Sequence, residues 1–169
     1  MLNAAIWLGA AVFFTMCVVP ALDSRDVSAV LGEKYFAYVS GAVTQVIQTR
    51  YFYWHIVCAI VALLHVVAEW LYLGRTARRL WLSLLCGLLT ASLFGGIWLG
   101  PKLRELHRAQ HALNLRPEDR AAAVKRFQFW QGMFQAMNVF LIGGTAVYFW
   151  RVSNPPDELR FVGTPKFRG

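Results

Sequence analysis

Tyr51-Phe-Tyr-Trp-His-Ile-Val-Cys-Ala-Ile-Val-Ala-Leu-Leu-His-Val-Val-Ala-Glu-Trp-Leu-Tyr-Leu73 decides the fold. A helix needs about 20 apolar residues to cross a hydrocarbon core of about 30 Å. This stretch is long enough, and Glu69 is its one carboxylate. Three further runs match it, at Ala4–Leu22, Leu80–Gly100 and Phe127–Trp150. Inside a bilayer each backbone N–H and C=O must be satisfied within the protein, so all four runs read as helices. The expected fold is all-α: a polytopic membrane protein built as an antiparallel four-transmembrane-helix bundle.

Composition agrees. The chain of 169 residues is 57% hydrophobic with a mean hydropathy of +0.44. Residues 1–152 form one transmembrane domain and 153–169 a polar, basic tail with Pro155-Pro156, Gly163 and Pro165. Trp7, Tyr51, Tyr53, Trp54, Trp70, Tyr72, Trp81, Trp98, Trp130 and Trp150 fall near run ends, where an aromatic belt anchors spans. The first run lacks a basic leader and a small-x-small cleavage site, so it reads as a retained helix. Cys17, Cys58 and Cys86 stand one to a run and read as buried free thiols.

Net charge is +8, but the cations are dispersed over the loops and no nucleic-acid module is visible. Nucleic acid is excluded as a partner. Membrane lipids with anionic headgroups are the expected contacts, together with other membrane subunits. Loops one and three carry ten Lys and Arg, loop two and the tail seven. That asymmetry leans toward residues 23–50 and 101–126 facing the cytoplasm, and the expected location is a bacterial inner membrane.

Two connections are readable. Val27, Val30, Leu31, Tyr35, Tyr38, Val39, Ala42, Val43, Val46 and Ile47 recur at helical spacing and predict an amphipathic interfacial helix after the first span, either separate from the second span or running into it. Beyond Pro101, Leu103, Leu106, Gln110 and Leu113 continue the third helix. Pro117-Glu118-Asp119 then starts a new one, proline at the first position and carboxylates at the positive end of the dipole. A long helical hairpin should join spans three and four.

Candidate functional residues are the polar groups inside the runs. His55, Cys58, Ala62, His65 and Glu69 share one face of the second span. Gln128, Gln131, Gln135, Asn138 and Thr145 share one face of the fourth, and Ser83, Cys86 and Thr90 make a weaker stripe in the third. Such groups should turn toward the bundle interior. His65 and Glu69, one turn apart, read either as glue near the headgroups or as a proton, cation or ligand site. His55 and His65 raise haem, but no facing span supplies a second histidine. His107 and His111 have a spacing that lets two imidazoles share a copper or zinc ion, with Glu118 or Asp119 as the nearest third ligand. No cofactor is required by any of these patterns.

Trp7-Leu8-Gly9, Phe13-Phe14, Val19-Pro20-Ala21, Gly95-Gly96-Ile97-Trp98 with Pro101-Lys102-Leu103, and Phe127 with Trp130-Gln131 and Asn138 together resemble the transmembrane protein 205-like family. The resemblance implies a four-helix integral membrane protein and no settled activity. Members of that family often have His where Gln131 stands, so a role needing a titratable group there does not carry over. The expected function is non-enzymatic: a polar-lined bundle in transport, in metal or drug tolerance, or in an accessory role. The alternatives are a small structural subunit of a larger complex and a haem or copper redox protein.

Overall fold

A computed structural model describes residues 1–73, 79–112 and 116–154. Most of the second loop, part of the turn before Pro117 and the tail from Pro155 lie outside the described residues, and so does the basic loop cluster Arg75-Thr76-Ala77-Arg78. The described chain is all-helical, with no strand among the described residues. Four helices are long and apolar enough to cross a membrane: α1 (Leu2–Leu22), α3 (Glu33–Leu73), α4 (Arg79–Gln110) and α5 (Pro117–Ser153). A short α2 (Arg25–Leu31) precedes α3.

Prolines shape α1 and α4. Pro20 and Pro101 lack an N–H and crowd the carbonyl four residues back. In both helices the turn just before the proline widens, at Phe14–Val18 and Phe94–Leu99. There the Val19 N–H reaches back to the Phe14 carbonyl and the Gly100 N–H to that of Gly95, five residues in each case. The widened turn absorbs the proline without ending the helix.

The segment after α1 is helical as expected, but it is split in two, and its second part runs on into the second span. Ser24 caps α2, its hydroxyl accepting from the Val27 N–H at 3.4 Å. Gly32, at φ +76°, then ends α2; this left-handed conformation is open to glycine at no steric cost. From Glu33 the chain runs as one helix of 41 residues through the whole second apolar run. Its first half buries Ser40, Gln45, Gln48 and Thr49 against its neighbours.

The expected start of α5 is present. Pro117 is its first residue, Glu118 and Asp119 lie in its first turn, and the helix continues through Ala121–Arg126 to Ser153. Its 37 residues span about 55 Å at 1.5 Å per residue. Arg116 pairs with Asp119 at 3.1 Å, and the Arg120 guanidinium donates to the Ala112 carbonyl at 2.7 Å across the turn.

α1 packs on α3 and α5; α4 packs on α3 and α5; α3 and α5 stand diagonally opposite. Two aromatic contacts bridge the diagonal and its flank, Phe52 on Phe134 and Phe14 on Tyr51. The core holds Trp7, Phe14, Tyr51, Phe52, Leu85, Leu88, Leu99, Phe134, Leu141 and Tyr148. Trp7 and Tyr51, expected in the aromatic belt, are buried core residues instead. Ala4, Ala11, Ala59 and Ala62 are buried in the same core. Cys58 is buried as expected, whereas Cys17 and Cys86 are exposed.

Candidate functional site

The polar residues that the helices enclose differ from those the stripes single out. On α3, His55 is fully buried with Cys58 and Ala62 above it. His65 is exposed and Glu69 half-exposed; their 3.4 Å contact is between side chains 62% and 44% exposed. On α5, Asn138 and Thr145 are buried, Gln131 is half-buried, and Gln128 and Gln135 are exposed. The inward face of α5 is Ala123, Phe134, Asn138, Leu141, Thr145 and Tyr148, so the glutamines lie at its edge. On α4, Ser83, Cys86 and Thr90 are exposed while Ser92 is enclosed. Ser83 and Thr90 can face outward because each hydroxyl donates to a carbonyl of its own helix, Leu80 at 2.9 Å and Cys86 at 2.8 Å.

Two hydrogen-bonded chains occupy the interior. In the first, the Tyr51 hydroxyl donates to Asn138 Oδ1 at 2.5 Å, Asn138 Nδ2 donates to Thr15 Oγ1 at 2.9 Å, and Thr15 donates to the Ala11 carbonyl at 3.0 Å. It ties α3, α5 and α1 together. In the second, the Trp7 indole Nε1 donates to His55 Nδ1 at 2.8 Å. The Tyr51 ring meets the His55 ring edge-on at 4.3 Å between centroids, and Trp7 stands edge-on to Tyr148 at 6.1 Å.

Together these groups form a row. Ser40, Gln45, Gln48, Thr49, Tyr51 and His55 are all buried on α3, over about 22 Å of helix at 1.5 Å per residue. Ser40 is satisfied by the Leu22 carbonyl at 2.9 Å and Thr49 by that of Gln45 at 2.9 Å. Gln45 is not. It is 4% exposed, yet neither its amide nitrogen nor its amide oxygen has a partner among the described residues. His55 Nε2 is likewise buried and unpartnered. Each unmet buried group costs about 1–3 kcal/mol. The signal was present in the sequence: positions 45 and 48 continue the helical spacing of the His55 stripe below the apolar run.

His107 and His111 are part of a packed joint outside the apolar runs. The His107 ring stacks on Tyr38 and lies against Gly41, where a Cβ would collide with it. Its Nε2 donates to the Tyr38 carbonyl at 3.0 Å and its Nδ1 accepts from Gln110 at 3.0 Å. His111 Nδ1 donates to the His107 carbonyl at 3.0 Å. Both nitrogens of His107 are thereby engaged within the protein. No group of three metal-binding side chains occurs among the described residues. Burial pushes the His107 pKa below its ordinary value, the Tyr38 carbonyl works against that, and His111 adds a further lowering. Haem ligation by His55 also meets an obstacle: the indole N–H can only donate, which puts the imidazole proton on Nε2, the nitrogen a metal would need.

Residues 2–112 match the profile of a protein family described as a domain of unknown function, DUF4149. No curated protein and no solved structure matches the chain.

Proposed function

We propose a role from the residues themselves for this chain, which belongs to the DUF4149 family, an uncharacterised one. Within that family we place it with the transmembrane protein 205-like proteins, on the segments around Trp7-Leu8-Gly9 and Gly95-Gly96. It is a non-enzymatic, four-helix bundle of a bacterial inner membrane, with loops 23–50 and 101–126 on the cytoplasmic side. It holds a small uncharged hydrogen-bonding solute between its helices, in a transport or solute-tolerance role.

The observation that carries this reading is the buried row on α3, in which Gln45 and His55 keep unmet hydrogen-bonding atoms. Enclosed side chains without partners ask for a guest. The guest is uncharged because no Asp, Glu, Lys or Arg is buried among the described residues. An ion placed there would lose its hydration with no counter-charge in return.

Vesicles reconstituted with the full chain test it, by the rate at which glycerol and urea enter after an osmotic step. Entry faster than in protein-free vesicles, lost in Gln45→Leu and His55→Leu, is the expected result. Potassium should not pass. Folded protein that speeds neither neutral probe overturns the reading.

A second reading, a structural subunit of a larger membrane complex, has its own support. His65, Gln128 and Gln135 are exposed, where another helix could satisfy them. Co-purification of a stoichiometric membrane partner from native membranes, lost in Gln135→Leu, would favour it.

A further inference from the structure

Gln135 is a polar group that the bundle leaves on its outside. Trp98 stands against Trp130 at 4.9 Å between centroids, and Arg151 lies over Trp81 at 5.5 Å. These two contacts mark the ends of the apolar part of α4 and α5. Trp130 to Trp150 is about 30 Å of helix at 1.5 Å per residue, the thickness of a hydrocarbon core. Gln135 lies about 7.5 Å inside Trp130 on that scale, too deep for a glutamine to reach back to the interface. It is exposed on α5, and its amide has no partner among the described residues. Other outward polar groups are provided for: Thr90 donates to the Cys86 carbonyl at 2.8 Å, and His65 has Glu69 at 3.4 Å. An unmet amide in hydrocarbon is costly, so Gln135 calls for another helix.

The surface beside it admits one. Gly132, Ala136 and Val139 are exposed on the same side of α5, opposite the inward Phe134, Asn138 and Leu141. A Cβ at Gly132 would meet nothing within 4 Å. Gly95 and Gly144, by contrast, make room for Phe52 and Leu88 of their own chain. Gly132 makes room for nothing in the bundle, and its spacing to Ala136 is one that lets a neighbouring helix approach closely.

A second copy of this chain fits the face by symmetry. Two copies in one orientation run their α5 helices parallel and hold Gln135 at equal depth. A primary amide is both donor and acceptor. About a two-fold axis, each Gln135 amide nitrogen donates to the other's oxygen, and both are satisfied at once. We infer that the outward face of α5 around Gly132 and Gln135 is a homodimer interface within the membrane, closed by this reciprocal amide pair. The inference rests on the reading of the chain as a subunit whose outward amides meet another helix, and it names that helix as α5 of a second copy.

Energy transfer between donor-labelled and acceptor-labelled full chains tests it, in phosphatidylcholine vesicles over a series of protein-to-lipid ratios. Saturable transfer that fits a dimer is expected. Gln135→Leu should weaken association about five- to tenfold, as for two interhelical hydrogen bonds, and Gly132→Ile should abolish it. Both residues are on the surface, so the helical content read by circular dichroism should stay unchanged. In a Cys17→Ser, Cys58→Ser, Cys86→Ser background, Ala136→Cys should oxidise to a disulfide-linked dimer. Val57→Cys, at a position 52% exposed on α3, should not. Transfer no greater than random proximity gives, or association that Gln135→Leu leaves unchanged, overturns the inference. A chain that stays monomeric while Ala136→Cys cross-links to a different protein in native membranes keeps the subunit reading and loses the homodimer. A monomeric chain that cross-links to nothing loses both.

Discussion

Asn138 offers the sharpest test of how the helices are held. Its oxygen accepts from Tyr51 at 2.5 Å and its nitrogen donates to Thr15 at 2.9 Å, joining three helices through one side chain. Asn138→Leu keeps the volume and removes both bonds. Thr15 remains satisfied by the Ala11 carbonyl, but the Tyr51 hydroxyl is stranded in the core, at about 1–3 kcal/mol. Tyr51→Phe removes that hydroxyl and preserves the ring, which stacks on Phe14 at 4.2 Å. Interhelical hydrogen bonds in membranes average about 0.6 kcal/mol and reach about 1.7. This one is short and enclosed, so the coupling in a double-mutant cycle should fall at about 1–1.7 kcal/mol. Tyr51→Phe should therefore cost markedly less in the Asn138→Leu background than in the native chain. Equilibrium unfolding in bicelles of the four proteins measures it. Effects that add to within about 0.5 kcal/mol, the scatter of independent sites, would refute the bond as a fastening between α3 and α5.

Three further outcomes are expected. Gly95→Ala places a Cβ into the Phe52 ring, itself buried against Phe134, and should cost about 1–3 kcal/mol by overpacking; Gly143→Ala meets open space and should gain about 0.5–1 kcal/mol, so equal effects in unfolding would contradict the packing of α4 on α3. Glu69→Gln should change stability by no more than about 0.5 kcal/mol, as for an exposed i,i+4 pair, and leave solute entry intact; loss of entry would return Glu69 to the functional site. The His107 pKa is lowered in the folded protein by burial, so the unfolded chain binds the proton more readily, and the joint with Tyr38 is stable above about pH 6.5 and loosens as pH falls through the lowered value; hydrogen exchange at Tyr38–Gly41 should rise on acidification, and a rise that persists in His107→Gln would assign it elsewhere.

What the sequence determined is whatever depends on neighbours along the chain. Apolar run length made four helices, because backbone groups in hydrocarbon have no other partners. Pro117 with its acidic first turn placed the start of α5, since capping and dipole effects act within one turn. What only the tertiary structure decided is which side of each helix faces in. A helical period marks residues that share a face but leaves the direction of that face open. Ser92 rather than Ser83, Cys86 and Thr90 is enclosed on α4, and Asn138 and Thr145 rather than Gln128 and Gln135 on α5. Trp7 and Tyr51 suit an interface equally well by composition; the diagonal pairing of α3 with α5 across α1 put them in the core. Residues 40–49 lay outside every apolar run, so the buried amide of Gln45 emerged only when α3 proved continuous from Glu33 to Leu73 and was enclosed by its neighbours. The site belongs to long-range packing, because it joins residues up to 123 positions apart, as Asn138 and Thr15 are, a separation that no local pattern reports.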